Sequence, residues 1–135
     1  MTQSSLGLEI LQEVTRIANS TLDLDETLEK IIQVIKNKMH MDACAIYLIN
    51  ESGGLLHLKA SMGLPEKAMH INLAMGQGVT GWVAQQGTSL ALSEAMQDPR
   101  FVYFPEIEEE KFNSMLSVPI LADCPPLGVI NVHCI

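Results

Sequence analysis

Gly76-Gln77-Gly78-Val79-Thr80-Gly81 follows a short apolar stretch and opens a helical pattern, a spacing that can present backbone N–H groups to a phosphate or carboxylate. The dinucleotide-binding form of this motif needs a clean second parallel strand and an acidic residue about 20 positions on to grip a ribose, and neither follows. The plainer reading is that the glycines permit a tight strand-to-helix entry and a close backbone approach. In both readings the first helical N–H groups carry partial positive charge, so Gln77, Gly78 and Thr80 are candidate contacts for an anionic group. Trp82 comes next and could either roof a pocket or sit in the core.

A second candidate lies in Asp98-Pro99-Arg100-Phe101-Val102-Tyr103-Phe104-Pro105-Glu106. Arg100 is one of two arginines, and Phe101, Tyr103 and Phe104 are half of the six aromatic residues. Such a loop can close over a small ligand, with Arg100 gripping a carboxylate through both arms of its guanidinium. An Arg100 that holds its neighbour Asp98 or Glu106 fits the sequence equally well. The candidate ligand-binding residues are thus Gln77, Gly78, Thr80, Trp82, Arg100, Phe101, Tyr103 and Phe104.

Other chemistry is sparse. His40, His57, His70 and His133 have no metal-binding spacing, and each reads as structural or solvated; no metal or cofactor is expected. Glu106, Glu108, Glu109 and Glu110 read as a solvated face, not as general acids, and no catalytic residue is assigned. Three cysteines without a CxxC pair give neither a disulfide framework nor a zinc site. Cys44 reads as a small buried hydrophobe, Cys124 as the more exposed thiol in a proline turn, and Cys134 as part of a strand.

The elements that must position these groups follow from periodicity. Leu6, Ile10, Val14 and Ile17 form one helical stripe over about residues 5–19. Asp23 with Glu26 resembles a capping box, and Leu24, Leu28, Ile31, Ile32, Ile35 and Met39 continue as a second stripe ending near Lys38. Residues 43–49 and 55–61 read as antiparallel strands joined through Asn50 to Gly54, the first apolar on both alternations and hence central and covered on both faces. Further strands are expected at 70–74, 90–93, 114–121 and 127–134, with a short helix over 79–86 closed by Gly87 and an irregular acidic stretch over 94–111.

The chain of 135 residues carries a net charge of −8, which disfavours nucleic acid and anionic membranes as partners. At 47% apolar it can bury a core of its own. It contains no apolar run near the ~20 residues of a membrane span and begins without a secretory leader, so a cytoplasmic domain is expected. Residues 1–135 read as one domain. The closing GVINVHCI stops inside an apolar strand, which suggests a piece of a longer protein.

The order of two helices, a hairpin, GQGVTGWVAQQG, then SMLSVPI and LGVINV resembles the GAF family of small-molecule sensor domains over nearly the whole chain. Within it, DACAIYLI, DPRFVYFPEIEEEKFNSMLSVPI and LGVINV are most similar to the N-terminal GAF domains of nitrogen-branch phosphoenolpyruvate-protein phosphotransferases. Glu108 and Ser117 depart from that pattern, where Gly is commoner. The resemblance implies an α+β fold: a central antiparallel sheet of about six strands, N-terminal helices on one face, and a short helix plus loops over a cavity on the other. It also implies a truncation before a C-terminal helix that usually joins the first helix in a dimer. The implied role is regulatory: a non-catalytic domain, expected as a homodimer on the family pattern, binding a metabolite of the glutamine or 2-oxoglutarate class and modulating a downstream phosphotransferase domain. A ligand-free dimerisation module, its cavity filled by its own side chains, is the main alternative. A free methionine-sulfoxide reductase is a further one, although those enzymes close the last strand with an acidic residue where this chain has Gly128-Val129-Ile130-Asn131-Val132.

Overall fold

A computed structural model describes residues 3–20, 24–50, 54–121 and 126–135. Thr21, Asp23, the turn residues 51–53, Cys124 and the side chain of Ile17 lie outside the described residues. The fold is α+β. Two helices, α1 (Gln3–Ser20) and α2 (Leu24–Met39), precede the strands β1 (Ala43–Ile49), β2 (Leu55–Met62) and β3 (Asn72–Ala74). Helix α3 (Gly78–Gln86) then leads to β4 (Leu90–Leu92), β5 (Ser114–Ile120) and β6 (Gly128–Cys134). The six strands form one sheet in the order β3-β2-β1-β6-β5-β4, with every pair antiparallel.

The double-sided apolar pattern of β1 is explained by its place between β2 and β6. Cys44 and Ile46 face α2, where they pack with Leu28, Ile32 and Ile35; Ala45 and Tyr47 face the opposite layer with Leu56, Leu58, Val79 and Val83. A register shift between Ile46 and Tyr47 in the pairing with β2 lets both layers stay filled as the sheet curls. Acidic Asp25 and Glu26 open α2 and Lys36 and Lys38 close it, each end matching the helix dipole. Lys38 also reaches Glu9 and ties α2 to α1. Asn50 stops the first strand with its side-chain oxygen, which accepts from the N–H groups of Gly54 at 3.1 Å and Leu55 at 3.2 Å.

The third strand is shorter than expected. His70 belongs to a 3-10 turn, Glu66–His70, because Pro65 fixes its entry and the Ala68 N–H bonds the Pro65 carbonyl, leaving Ile71 to start the extended run. Gly87 ends α3 as read from the sequence, left-handed at φ 68° with its N–H on the Val83 carbonyl at 2.9 Å. The acidic stretch is compact, with 3-10 turns at Ala95–Gln97 and Glu109–Lys111. No helix among the described residues is long and apolar enough to cross a membrane.

Candidate functional site

The start of α3 is built by its glycines. Gly78 is left-handed at φ 71°, and a Cβ on Gly81 would lie 2.5 Å from the Ala74 carbonyl, so the chain turns from β3 into the helix only if both positions lack side chains. The plainer reading of this motif is therefore sound on backbone grounds. Gln77, the residue preceding the helix, makes no side-chain cap; its Oε1 instead accepts from the Ala74 N–H at 3.2 Å. The first turn of α3 thus faces the 98–112 loop without a capping side chain of its own from Gln77.

That loop closes against it. Gln77, Gly78, Thr80, Phe101 and Phe104 line a single hollow over the sheet, together with Val102, Glu109 and Met115. Its free volume is about 10 Å³, room for no more than one water. Phe104 and Val102 press on Gly78, each 3.6 Å from where a Cβ would stand. Trp82 and Arg100 sit beside the hollow and not in its wall, with the guanidinium carbon 4.7 Å from the indole centroid. Tyr103 is 48% exposed and does not line it.

Arg100 grips Asp98. Its Nε donates to Asp98 Oδ1 and its terminal nitrogen to Oδ2, both at 2.8 Å, and its backbone N–H adds a third bond of 2.8 Å to Oδ1. These bonds hold the Asp98 carboxyl down at about 2. Of the two partners the sequence left open for Arg100, a neighbouring acid is the one it holds in this closed arrangement.

The glutamate run needs correction. Glu109 is 8% exposed and lines the hollow, whereas a uniformly solvated face was expected. Glu108 takes a left-handed conformation, φ 55°, and this reversal turns the next residue inward. Glycine adopts such a φ at least cost; Glu108 accepts the strained geometry while its carboxylate meets Lys111 at 2.7 Å and Lys67 at 3.2 Å. Ser117, the other departure, is fully buried and donates to Asn131 Oδ1 at 2.6 Å; Asn131 Nδ2 donates in turn to Thr80 Oγ1 at 2.7 Å. This bridge from β5 through β6 to α3 was missed. Its signal was the period of two in β6, which puts Val129, Asn131 and His133 on one face.

His133 lies next to Glu109, outside the wall of the hollow. It is 2% exposed, its ring centroid is 5.0 Å from that of Phe112, and its Nε2 stands 3.9 Å from Glu109 Oε2. Burial outweighs this carboxylate and lowers the imidazole to about 4. As pH falls from 6.5, the unfolded chain takes up a proton that the folded chain refuses until about 4, so stability is lost across that window. We expect urea titrations to show a loss of about 2 kcal/mol between pH 7 and pH 5. His133→Gln should flatten that slope, and Asp98, with its lowered carboxyl, titrates below this range.

The described thiols are elsewhere. Cys44 lies in the α2-facing layer, with its thiol pushed up to about 12 by burial, and Val132 and Cys134 share a groove on that same face. Neither lines the hollow, so no described thiol is placed for redox chemistry there.

The arrangement matches known proteins. The chain is 31% identical over 138 residues to a Nif-specific regulatory protein of Azospirillum lipoferum, covering 98% of this chain and 22% of that protein. It is 30% identical over 112 residues to the phosphoenolpyruvate-dependent phosphotransferase system protein of Escherichia coli K12, covering 82% of this chain and 15% of that one. It therefore spans less than a quarter of the length of either relative. Among solved structures, the GAF domain of a phosphoenolpyruvate-protein phosphotransferase from Coxiella burnetii superposes with a TM-score of 0.87 at 25% identity, over 98% of this chain and 80% of that one. A sequence model of the GAF domain matches residues 23–134. With that model covering most of the chain and the whole fold superposing on a solved GAF domain, this chain belongs to the GAF domain family.

Proposed function

We propose that this GAF domain is a non-catalytic regulatory sensor of a small carboxylate-bearing metabolite of nitrogen status, of the glutamine or 2-oxoglutarate class. The ligand seats between Gln77–Trp82 and Arg100–Phe104, and its binding modulates a phosphotransferase domain further along the same cytoplasmic protein. The observation that carries the reading is the closure of one short loop onto the start of α3. Val102 and Phe104 plug the hollow, while Arg100 waits at its margin on Asp98. Opening the loop exposes helical N–H groups and lets Arg100 exchange one carboxylate for another at little electrostatic cost. The relatives named for nitrogen fixation control and for phosphotransfer support the regulatory setting.

The test is calorimetric titration with L-glutamine and with 2-oxoglutarate. Heat with at least one is expected, and Arg100→Ala should weaken binding about tenfold by removing a charged hydrogen-bond partner. Absence of heat with both would overturn the sensor reading.

A ligand-free dimerisation module is the second reading, and the nearly filled hollow is the observation that favours it. A homodimer is compatible with both readings. Its support is an apolar groove of about 580 Å³ between α1, α2 and the sheet, walled by Ile10, Val14, Ile31, Ile120 and Leu127 among others. Sedimentation of the chain measures this separately from ligand binding.

A further inference from the structure

We propose that Asp98 is an internal competitor for the ligand: its carboxylate occupies on Arg100 the place that the carboxylate of a bound metabolite takes. The inference rests on the sensor reading above and adds how occupancy of that site is restrained. Both side-chain oxygens of Asp98 are engaged by one guanidinium, Nε on Oδ1 and the terminal nitrogen on Oδ2, each at 2.8 Å. Two parallel bonds of this kind are also how an arginine grips a free carboxylate. The bonds hold the Asp98 carboxyl down at about 2 and raise the guanidinium, so both partners are charged at neutral pH. Among the described residues Arg100 has no second acidic partner, so the departure of one carboxylate frees its whole fork.

The pair stands where a ligand can reach it. Asp98, Arg100 and Trp82 are all half-buried, and the indole of Trp82 backs the guanidinium carbon at 4.7 Å, two residues past Thr80 on α3. Phe101 and Phe104, which line the hollow, follow Arg100 directly. Asp98 also anchors this loop: its Oδ1 accepts from the Arg100 backbone N–H at 2.8 Å and its carbonyl from the Phe101 N–H at 3.0 Å. A group tethered so closely competes at an effective concentration on the order of mM, so a metabolite in solution takes Arg100 only by displacing it. The apparent affinity then falls in proportion to the fraction of molecules in which Arg100 is free. If Asp98 served the loop turn alone, removing its charge would loosen the loop and weaken binding, which is the opposite sign.

The experiment is calorimetry on the full 135-residue chain with L-glutamine and with 2-oxoglutarate. Asp98→Asn keeps an oxygen to accept from the Arg100 backbone N–H, but its neutral amide cannot receive both arms of the guanidinium. The metabolite that binds the wild-type chain should bind Asp98→Asn at least about threefold more tightly. Asp98→Ser, whose hydroxyl can also hold the turn, should show the same gain and stands in if the first variant fails to fold. In an Arg100→Ala background the gain from Asp98→Asn should vanish, because no guanidinium is left to compete for. Unchanged or weaker binding by the Asp98 variants would overturn the inference while leaving the sensor reading intact. So would a gain that persists without Arg100. No heat with either metabolite would overturn the sensor reading and this inference together.

Discussion

Gly128→Ala is expected to destabilise the domain by about 3 kcal/mol or more, a loss of roughly 10 °C in Tm for a chain of this size. Gly128 opens β6 opposite Leu48 of β1 and Ile120 of β5. An added Cβ would lie 2.0 Å from the Tyr47 carbonyl oxygen, 3.0 Å from the Tyr47 carbonyl carbon and 3.1 Å from the Leu48 Cα. All three are backbone atoms of the central strand, so a rotamer change cannot relieve the contact. Moving β1 would disturb the Tyr47 ring in the layer that packs on α3 and Ile46 under α2 at once, because the strand is packed on both faces. Gly7→Ala in α1 is the control: its Cβ meets nothing within 4 Å, and it should raise stability by about 0.5–1 kcal/mol through the helix preference of alanine. Thermal melts of the two variants should move in opposite directions.

The apolar pattern carried most of this architecture. The double-sided apolar run of residues 43–49 specified a central strand, and the stripe from Leu24 to Met39 specified a helix lying over it. The ends of strands were less visible where local chemistry competes with pattern, as at Pro65, which converts His70 from a strand residue into the end of a 3-10 turn. The site was legible in part for the same reason. Glycines and aromatics mark a helix entry and a loop by type, so Gln77, Gly78, Thr80, Phe101 and Phe104 could be singled out, and they share one hollow. Glu109 could not be separated from its neighbours by composition. Its burial comes from a single left-handed residue, and backbone sign is not written in a run of identical side chains. Asn131 and Ser117 were hidden because their partner Thr80 is 51 positions from Asn131, a separation that no local period reports.

Asn131→Val should cost about 3 kcal/mol, and the route of that loss distinguishes a structural bridge from simple packing. Asn131 uses its oxygen on Ser117 and its amide nitrogen on Thr80, and all three residues are buried. Among the described residues no buried side-chain N or O atom lacks a partner, so removing the amide breaks a satisfied network and strands two hydroxyls away from water. Replacing all three members by apolar groups of similar shape, Thr80→Val with Asn131→Val and Ser117→Ala, removes every stranded group. It should recover most of the lost stability. Denaturant titration of the single and triple variants measures the difference directly. If the triple variant is no more stable than Asn131→Val, packing and not hydrogen bonding sets the cost. The bridge holds the first turn of α3 against β5 and β6, and Thr80 at its end also lines the hollow. On the sensor reading a recovered triple variant should bind ligand more weakly than wild type despite its restored fold, because the Thr80 hydroxyl and the tie between α3 and the sheet are lost together; Ser117→Ala, which leaves Thr80 in place, measures the tie by itself.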